Sequence, residues 1–387
     1  MDIGSFRKRI AWRFRRFILP DQASSVQINA QSNVVVAGLF RTASGIGESA
    51  RLCAHALKRV GFDPIQLDLS KIFDQVDMDY ANFVTELPKD GGLLILHLNA
   101  PETERALFEL QIRRPHKWKI IGYWAWETMN LPENWLEATR LLDEIWVPSE
   151  FTAKSVKKSV NLPIRVQPHF VDIPKPIKGV TPHDKTVCLV MADGKSSLTR
   201  KNLVGAISIF KQACENNDNV ELIVKTRNLL ENSYAASKVH DLVDADPRIH
   251  LIDATLSEPD RDQLIDRSDI LISPHRAEGF GLTLAEAMVR GKTVIATAWS
   301  GNMTFMNEDS ALLIPYQLKR LSDPSCIYVG VNGELWADPD LQTAARLLRQ
   351  AIENPEMRTL LGLRARDQIQ KALSAETWLN SLESVYS

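Results

Sequence analysis

The four cysteines of this 387-residue chain, Cys53, Cys188, Cys214 and Cys326, are scattered, with no CxxC pair and no histidine at metal-ligand spacing. Neither a disulfide framework nor a zinc site is expected, and a reducing cytoplasm fits this usage. No apolar run reaches the roughly 18 residues of a membrane-spanning helix, and nothing near the N-terminus reads as a cleavable signal peptide. Lysine plus arginine (46) and aspartate plus glutamate (48) nearly balance, giving a net charge of −2. Without a basic excess to displace counterions from many phosphates, no nucleic acid partner is expected. With 44% apolar and 24% charged residues, the chain is long enough for two domains of ordinary size.

Charge is uneven in one place. Residues 5–19, SFRKRIAWRFRRFIL, carry Arg7, Lys8, Arg9, Arg13, Arg15 and Arg16 and no acidic residue. Phe6, Ile10, Phe14, Phe17 and Ile18 recur at helical spacing, the pattern of a helix lying in an anionic membrane interface. The same letters also fit a basic tail folded back on its own domain. The first reading makes the protein peripheral on the inner face of the plasma membrane.

From residue 33 onward short apolar runs alternate with helical stretches, as in parallel sheets joined by crossover helices. NVVVAGLF (33–40), GLLILHLNA (92–100), WKIIGYWAWE (118–127) and EIWVPS (144–149) read as strands. The proline-rich stretch 167–184 breaks the pattern, and a second series begins with TVCLVMAD, followed by one helix from Arg200, then VELIVKT, IHLID and ILISP. The expected division is a basic segment 1–32, a Rossmann-like domain 33–175, a second one 183–365 and a terminal helix 366–387. Ligands of such sheets bind beyond the carboxyl ends of the strands, so a cleft lined by strand-to-helix loops is expected between two doubly wound domains.

The most informative stretch is SPHRAEGFGLTLAEAM, residues 273–288. Gly279 and Gly281 allow backbone to approach a ligand, and the N–H groups opening the following helix suit an anion. Glu286, one turn inside, tilts back toward the same end. A carboxylate beside a diphosphate makes sense only if it accepts hydrogen bonds from neutral hydroxyls, and Glu278 stands in the same position on the other side. A diphosphate flanked by hydroxyl-rich rings is a nucleotide sugar. A plain capped helix with solvated glutamates is the competing reading.

EGFGLTLAE resembles the Glu-x7-Glu motif of the retaining glycosyltransferases of family 4, with seven residues between Glu278 and Glu286. The resemblance extends to GKSSLTRKN (194–202), TASGIGESARL (42–52), GYWAWE (122–127), DEIWVPSEFTA (143–153) and SAETWLNSLESVY (374–386), the N-terminal segments being similar to the branch that builds bacterial surface polysaccharides. SGNMTFM stands where a second glycine is common. The resemblance implies an α/β protein of the GT-B fold, with two Rossmann-like doubly wound domains facing across a cleft. It also implies transfer of a hexose, mannose first, from GDP-mannose or a UDP-hexose to a lipid-linked oligosaccharide or polysaccharide. Glu278 would meet hydroxyls of the transferred sugar and Glu286 the ribose. Gly279, Phe280, Gly281 and Leu282 would offer backbone donors. Lys201, with Arg200 or Lys195, would meet the diphosphate. His97, near Asn99, would lie close to the reacting centre, and Gly45 and Gly47, with Ile46 and Glu48, would form a flexible loop and a helix start touching phosphate or acceptor. Glu127 is an acceptor-side candidate. Asp77 and Asp79 read as surface charge, and neither a metal nor another obligatory cofactor is expected. A nucleotide-sugar epimerase of the same architecture and a non-catalytic donor-binding subunit are the alternatives.

Overall fold

The computed structural model describes residues 19, 28–29, 31–113, 116–174, 184–231, 233–324, 328, 331 and 333–386. Residues 5–18, which carry the basic amphipathic pattern, and Cys326 lie outside the described residues. The chain forms two compact units, one of residues 1–126, 130–170 and 375–387, the other of residues 127–129 and 171–374.

The first unit is built on six parallel strands: β1 (Asn33–Gly38), β2 (Ile65–Asp68), β3 (Gly92–His97), β4 (Trp118–Tyr123), β5 (Glu144–Val147) and β6 (Ile164–Val166). Their order is β2-β1-β3-β4-β5-β6. Val35, Val36 and Ala37 of β1 and Leu93 to Leu96 of β3 are fully buried, as expected where helices cover both faces of a parallel sheet. The helix Gly45–Arg59 presses Ala50, Cys53, Ala54 and Leu57 onto that sheet.

The terminal helix Glu376–Tyr386 belongs to this unit: Trp378, Leu382 and Val385 join its core, with Trp378 5.8 Å from the Trp146 ring. Three domain limits differ from the sequence reading. The helix Pro355–Ala372 runs unbroken across residue 365 and packs Ala365 and Ile369 with Ala285 and Met288, so the second unit continues to Ser374. Ile28 already sits in the first core, and Leu19 is buried, so packed residues precede residue 33. In the proline-rich stretch Phe170 is buried in the first core and Val171 in the second, which moves that limit back from 175.

The second unit holds β7 (Thr186–Asp193), β8 (Val220–Arg227), β9 (Ile249–Asp253), β10 (Ile270–Ser273), β11 (Thr293–Thr297) and β12 (Leu312–Ile314). The order β12-β11-β10-β7-β8-β9, again all parallel, is that of dinucleotide-binding folds. An antiparallel hairpin of β13 (Tyr316–Arg320) and β14 (Leu335–Pro339), not anticipated from the sequence, follows. The helix expected from Arg200 is two helices, Leu198–Lys201 and Leu203–Ala213. Asn202 between them is left-handed at φ 55° and sends its side-chain amide to the Pro274 carbonyl, 2.9 Å away, which stops the first helix.

The order of strands reverses between β1 and β3 in one sheet and between β7 and β10 in the other. Adjacent loops part at such points and leave a crevice at the carboxyl ends. Trp378→Ala should destabilise the first unit by about 3–5 kcal/mol. Denaturant titration should show this as a shifted midpoint, whereas an unchanged midpoint would mean that the helix contributes no packing.

Candidate functional site

In the second unit the loops that leave β7 and β10 are laced together. The Arg276 N–H donates to the Arg200 carbonyl (2.7 Å), and the Arg200 guanidinium donates to the Ala277 carbonyl (2.8 Å). The short helix carrying Arg200 and Lys201 starts at Ser197, whose hydroxyl accepts the Arg200 N–H at 3.0 Å. Into this lacing comes Glu278, only 7% exposed, with one carboxylate oxygen 2.6 Å from Lys201 Nζ and the other 3.2 Å from Arg200 Nη1. Burial alone would push the Glu278 carboxyl up. Lys201 and Arg200 outweigh it and hold the group at about 2, so it is ionised at neutral pH.

The two cations are not equivalent. The Arg200 side chain is 5% exposed and is committed to Ala277, Ser196, Glu278 and, at 3.6 Å, Glu127. Lys201 is 23% exposed, so it is the more accessible of the two cations. Burial raises the Glu127 carboxyl, Arg200 acting against it. Lys195 is exposed and its backbone N–H donates to Asp193, so Arg200, not Lys195, is the cation held against Glu278.

Gly281, at φ +97°, caps the helix Leu282–Val289 without a side-chain hydrogen bond. Leu284 and Ala285 close the first turn onto the Gly281 carbonyl, and the earlier N–H groups of that turn have no carbonyl partner within the helix. The Phe280 ring is a core anchor, 4.9 Å from Phe305, so only its backbone can serve a ligand. Glu286, half-buried one turn in, lies 3.5 Å from Arg261.

A second loop supports Glu278. Its N–H donates to the Ser300 hydroxyl (2.7 Å), and its carbonyl accepts the Gly301 N–H (2.8 Å). A Cβ on Gly301 would stand 2.1 Å from the Gly279 carbonyl oxygen, so no larger residue fits. Buried His275, between Ser273 on one ring nitrogen and Asn302 and the Trp299 carbonyl on the other, ties this turn to β10. Ser300, Asn302, His275 and Asn202 were not singled out in the sequence. The departure of SGNMTFM from two glycines was a signal for Ser300 and Asn302 alone, while Asn202 read only as a helix cap and His275 left no signal.

In the first unit β1 and β3 are in register Gly38 to His97 at their carboxyl ends. His97 is 1% exposed, its Nδ1 lies 2.7 Å from the Ser49 hydroxyl, and its ring stacks on Tyr123 at 4.4 Å. Nε2 is buried and has no partner among the described residues. Burial, then the charge of His169, pulls His97 well below the usual histidine range, so it is neutral at physiological pH. Asn99 accepts the Ala125 N–H (2.9 Å), joining the loops after β3 and β4.

Gly45 and Gly47 lie in the expected helix start, but the helix capped by Ser44 begins at Gly45 itself, so neither belongs to a flexible loop, and the Gly47 backbone lies against the Thr42 carbonyl. Glu48 pairs with Arg51 there. Asp77 accepts the Ala43 N–H at 2.6 Å, so it pins the loop before that helix rather than serving as bare surface charge.

With this geometry in view, a sequence match covers one part of the chain. Residues 182–368 match the family described as Glycosyl transferases group 1. The two doubly wound units are those of the GT-B glycosyltransferase fold. Sucrose-phosphate synthase from Thermosynechococcus elongatus is similar over 92% of this chain and 98% of its own, with TM-score 0.66 and 14% identity. HepE of Anabaena, solved with UDP and glucose, is similar over 92% and 100%, with TM-score 0.63 and 14% identity. TarM of S. aureus, in a mutant form solved with fondaparinux, α-GlcNAc-glycerol and UDP, is similar over 76% of this chain, with TM-score 0.57 and 14% identity, but over only 55% of its own length. This chain therefore spans about half of TarM. No curated protein sequence matches. The matched region thus contains the whole cluster of Arg200, Lys201, Glu278, Glu286 and Ser300.

The depressed Glu278 carboxyl fixes the sign of a pH effect. It contributes stability that is fully present above about pH 4.5, its unfolded value, and is lost as pH falls toward about 2. The melting temperature should fall through that window. Glu278→Gln should remove that part of the fall and cost about 3 kcal/mol at neutral pH by leaving the cations unpaired. Equal pH profiles for the two proteins would contradict the ion cluster.

Proposed function

We propose that this protein is a retaining, family 4-like glycosyltransferase that moves a hexose from a nucleotide diphosphate sugar to a lipid-linked or glycan acceptor. The observation that carries the reading is an ionised, buried carboxylate, Glu278, held by Lys201 and Arg200 beside the open first turn of the helix Leu282–Val289. An anionic group that remains charged in such a place is suited to accept hydrogen bonds from sugar hydroxyls. The helix N–H groups, with Gly281 letting backbone come close, suit the diphosphate. Lys201 offers charge to the departing diphosphate, an electrostatic contribution that commonly dominates such catalysis. Arg200 acts through Glu278 as its support, and Glu286 would take the ribose hydroxyls. His97, neutral and with Nε2 unspent, is suited to orient a donor or acceptor hydroxyl.

Retention would follow if the acceptor hydroxyl attacks the anomeric carbon from the face that the diphosphate leaves. The glycosidic carbon–oxygen bond to phosphate breaks, the bond to acceptor oxygen forms, and a phosphate oxygen takes the acceptor proton. GDP-mannose and UDP-hexoses are the donors proposed, and UDP in the solved HepE and TarM structures supports testing the uridine series equally. No helix among the described residues is long and apolar enough to cross a membrane. Residues 5–19 supply the proposed contact with an anionic inner leaflet, where each cation contributes on the order of 1 kcal/mol.

A panel of UDP, GDP, ADP and their hexose conjugates should raise the melting temperature with one nucleotide series only, and Glu286→Ala should abolish that shift. No shift from any series would remove the donor assignment. Deleting residues 1–18, which spares buried Leu19, should release the protein from phosphatidylserine-containing vesicles. Undiminished binding to them would end the membrane proposal.

A further inference from the structure

Ser300 adopts φ 80° and ψ −142°, next to the region of backbone space that glycine alone populates freely. It cannot relax by moving the turn. On one side Gly301 lies against the Gly279 carbonyl too closely to admit a Cβ. On the other, Asn302 is fully buried, donates to the Thr297 carbonyl (3.0 Å) and meets His275 (3.2 Å), while the Thr297 hydroxyl donates to the His275 carbonyl (2.6 Å). If the chain needed only this turn, glycine would make it without strain. What serine adds is a hydroxyl, buried with the residue 7% exposed, which donates to the Trp299 carbonyl and accepts the Glu278 N–H at 2.7 Å.

We infer that Ser300 is a positioning residue whose hydroxyl fixes the peptide from which the Glu278 carboxylate projects, at a cost in backbone strain. The inference rests on the donor-binding reading of Glu278 and deepens it. Lys201 and Arg200 set the carboxylate end of Glu278, and Ser300 with Gly301 sets its backbone, so both ends of the side chain are fixed before a sugar arrives. Preorganisation of this kind is worth most in the transition state, where a small displacement of a hydrogen-bonding group costs rate more than affinity.

Strain and positioning predict opposite signs in one variant, which a merely structural serine does not. Ser300→Gly should melt no lower than wild type, because the strain is gone. Its Glu278 amide should exchange with deuterium at least tenfold faster. Release of UDP from UDP-glucose or of GDP from GDP-mannose, whichever wild type turns over, should fall at least tenfold in kcat, with the affinity for UDP or GDP within twofold. Ser300→Ala, which keeps the strain and loses the hydroxyl, should melt lower than Ser300→Gly and share its loss of turnover. Unchanged amide exchange in Ser300→Gly, or a lower melting temperature with unchanged turnover, would overturn the assignment. Glu278→Gln separates the two levels. If it abolishes turnover while Ser300→Gly behaves as wild type, only the role of Ser300 falls. If it turns over donor like wild type, the function proposed for Glu278 falls, and amide exchange alone decides the hydrogen bond.

Discussion

The ion cluster of Lys201, Arg200 and Glu278 is the constraint on which the architecture of the second unit's loops depends. A buried carboxylate is tolerable only when paired, and buried guanidinium groups likewise. The two cations come from the loop that leaves β7 and the carboxylate from the loop that leaves β10, so pairing them requires both loops to be locked. The carbonyls of Arg200, Ala277 and Pro274 are all engaged by donors from the neighbouring loop, which does that locking. Ser197, Asn202 and Ser300, three of the seven non-glycine residues at positive φ among the described residues, flank the cluster. Strained backbone concentrates where surrounding contacts over-determine it, and functional sites are the usual place.

The first unit applies the same topological rule with different chemistry. Its strand order reverses between β1 and β3, and the residues that meet there are Ser49 and His97. Among the described residues no ion pair forms at His97. A neutral imidazole, stacked on Tyr123 and sunk in apolar surroundings, retains one unpartnered nitrogen. The second unit therefore presents charge held by counter-charge, and the first presents a polar, uncharged group held by packing.

Much of this was legible in the sequence because it is local. Apolar runs such as NVVVAG and LLILH, separated by helical stretches, specify buried parallel strands, and EGFGLTLAE announces a turn that opens a helix. What escaped is non-local or too short to leave a pattern. Lys201 and Glu278 are 77 residues apart, and Ser300 and Glu278 are 22 apart, so no window reveals those contacts. Asn202 looks like any polar helix residue until Pro274 supplies its partner. β2 and β6, of four and three residues, and the hairpin β13–β14, whose first strand is mostly exposed, carry too little alternation to stand out. Asp77 read as solvated charge because nothing in DMD announces the Ala43 amide that it holds.

The central claim is that Glu278 recognises the sugar and not the nucleotide. Calorimetric titration of wild type and Glu278→Gln with UDP, UDP-glucose, GDP and GDP-mannose tests it directly. The account predicts that one free nucleotide binds both proteins alike, and that the extra affinity or heat contributed by the hexose in wild type vanishes in the variant. Equal weakening of free nucleotide and nucleotide sugar, or a hexose contribution that survives the substitution, would contradict it.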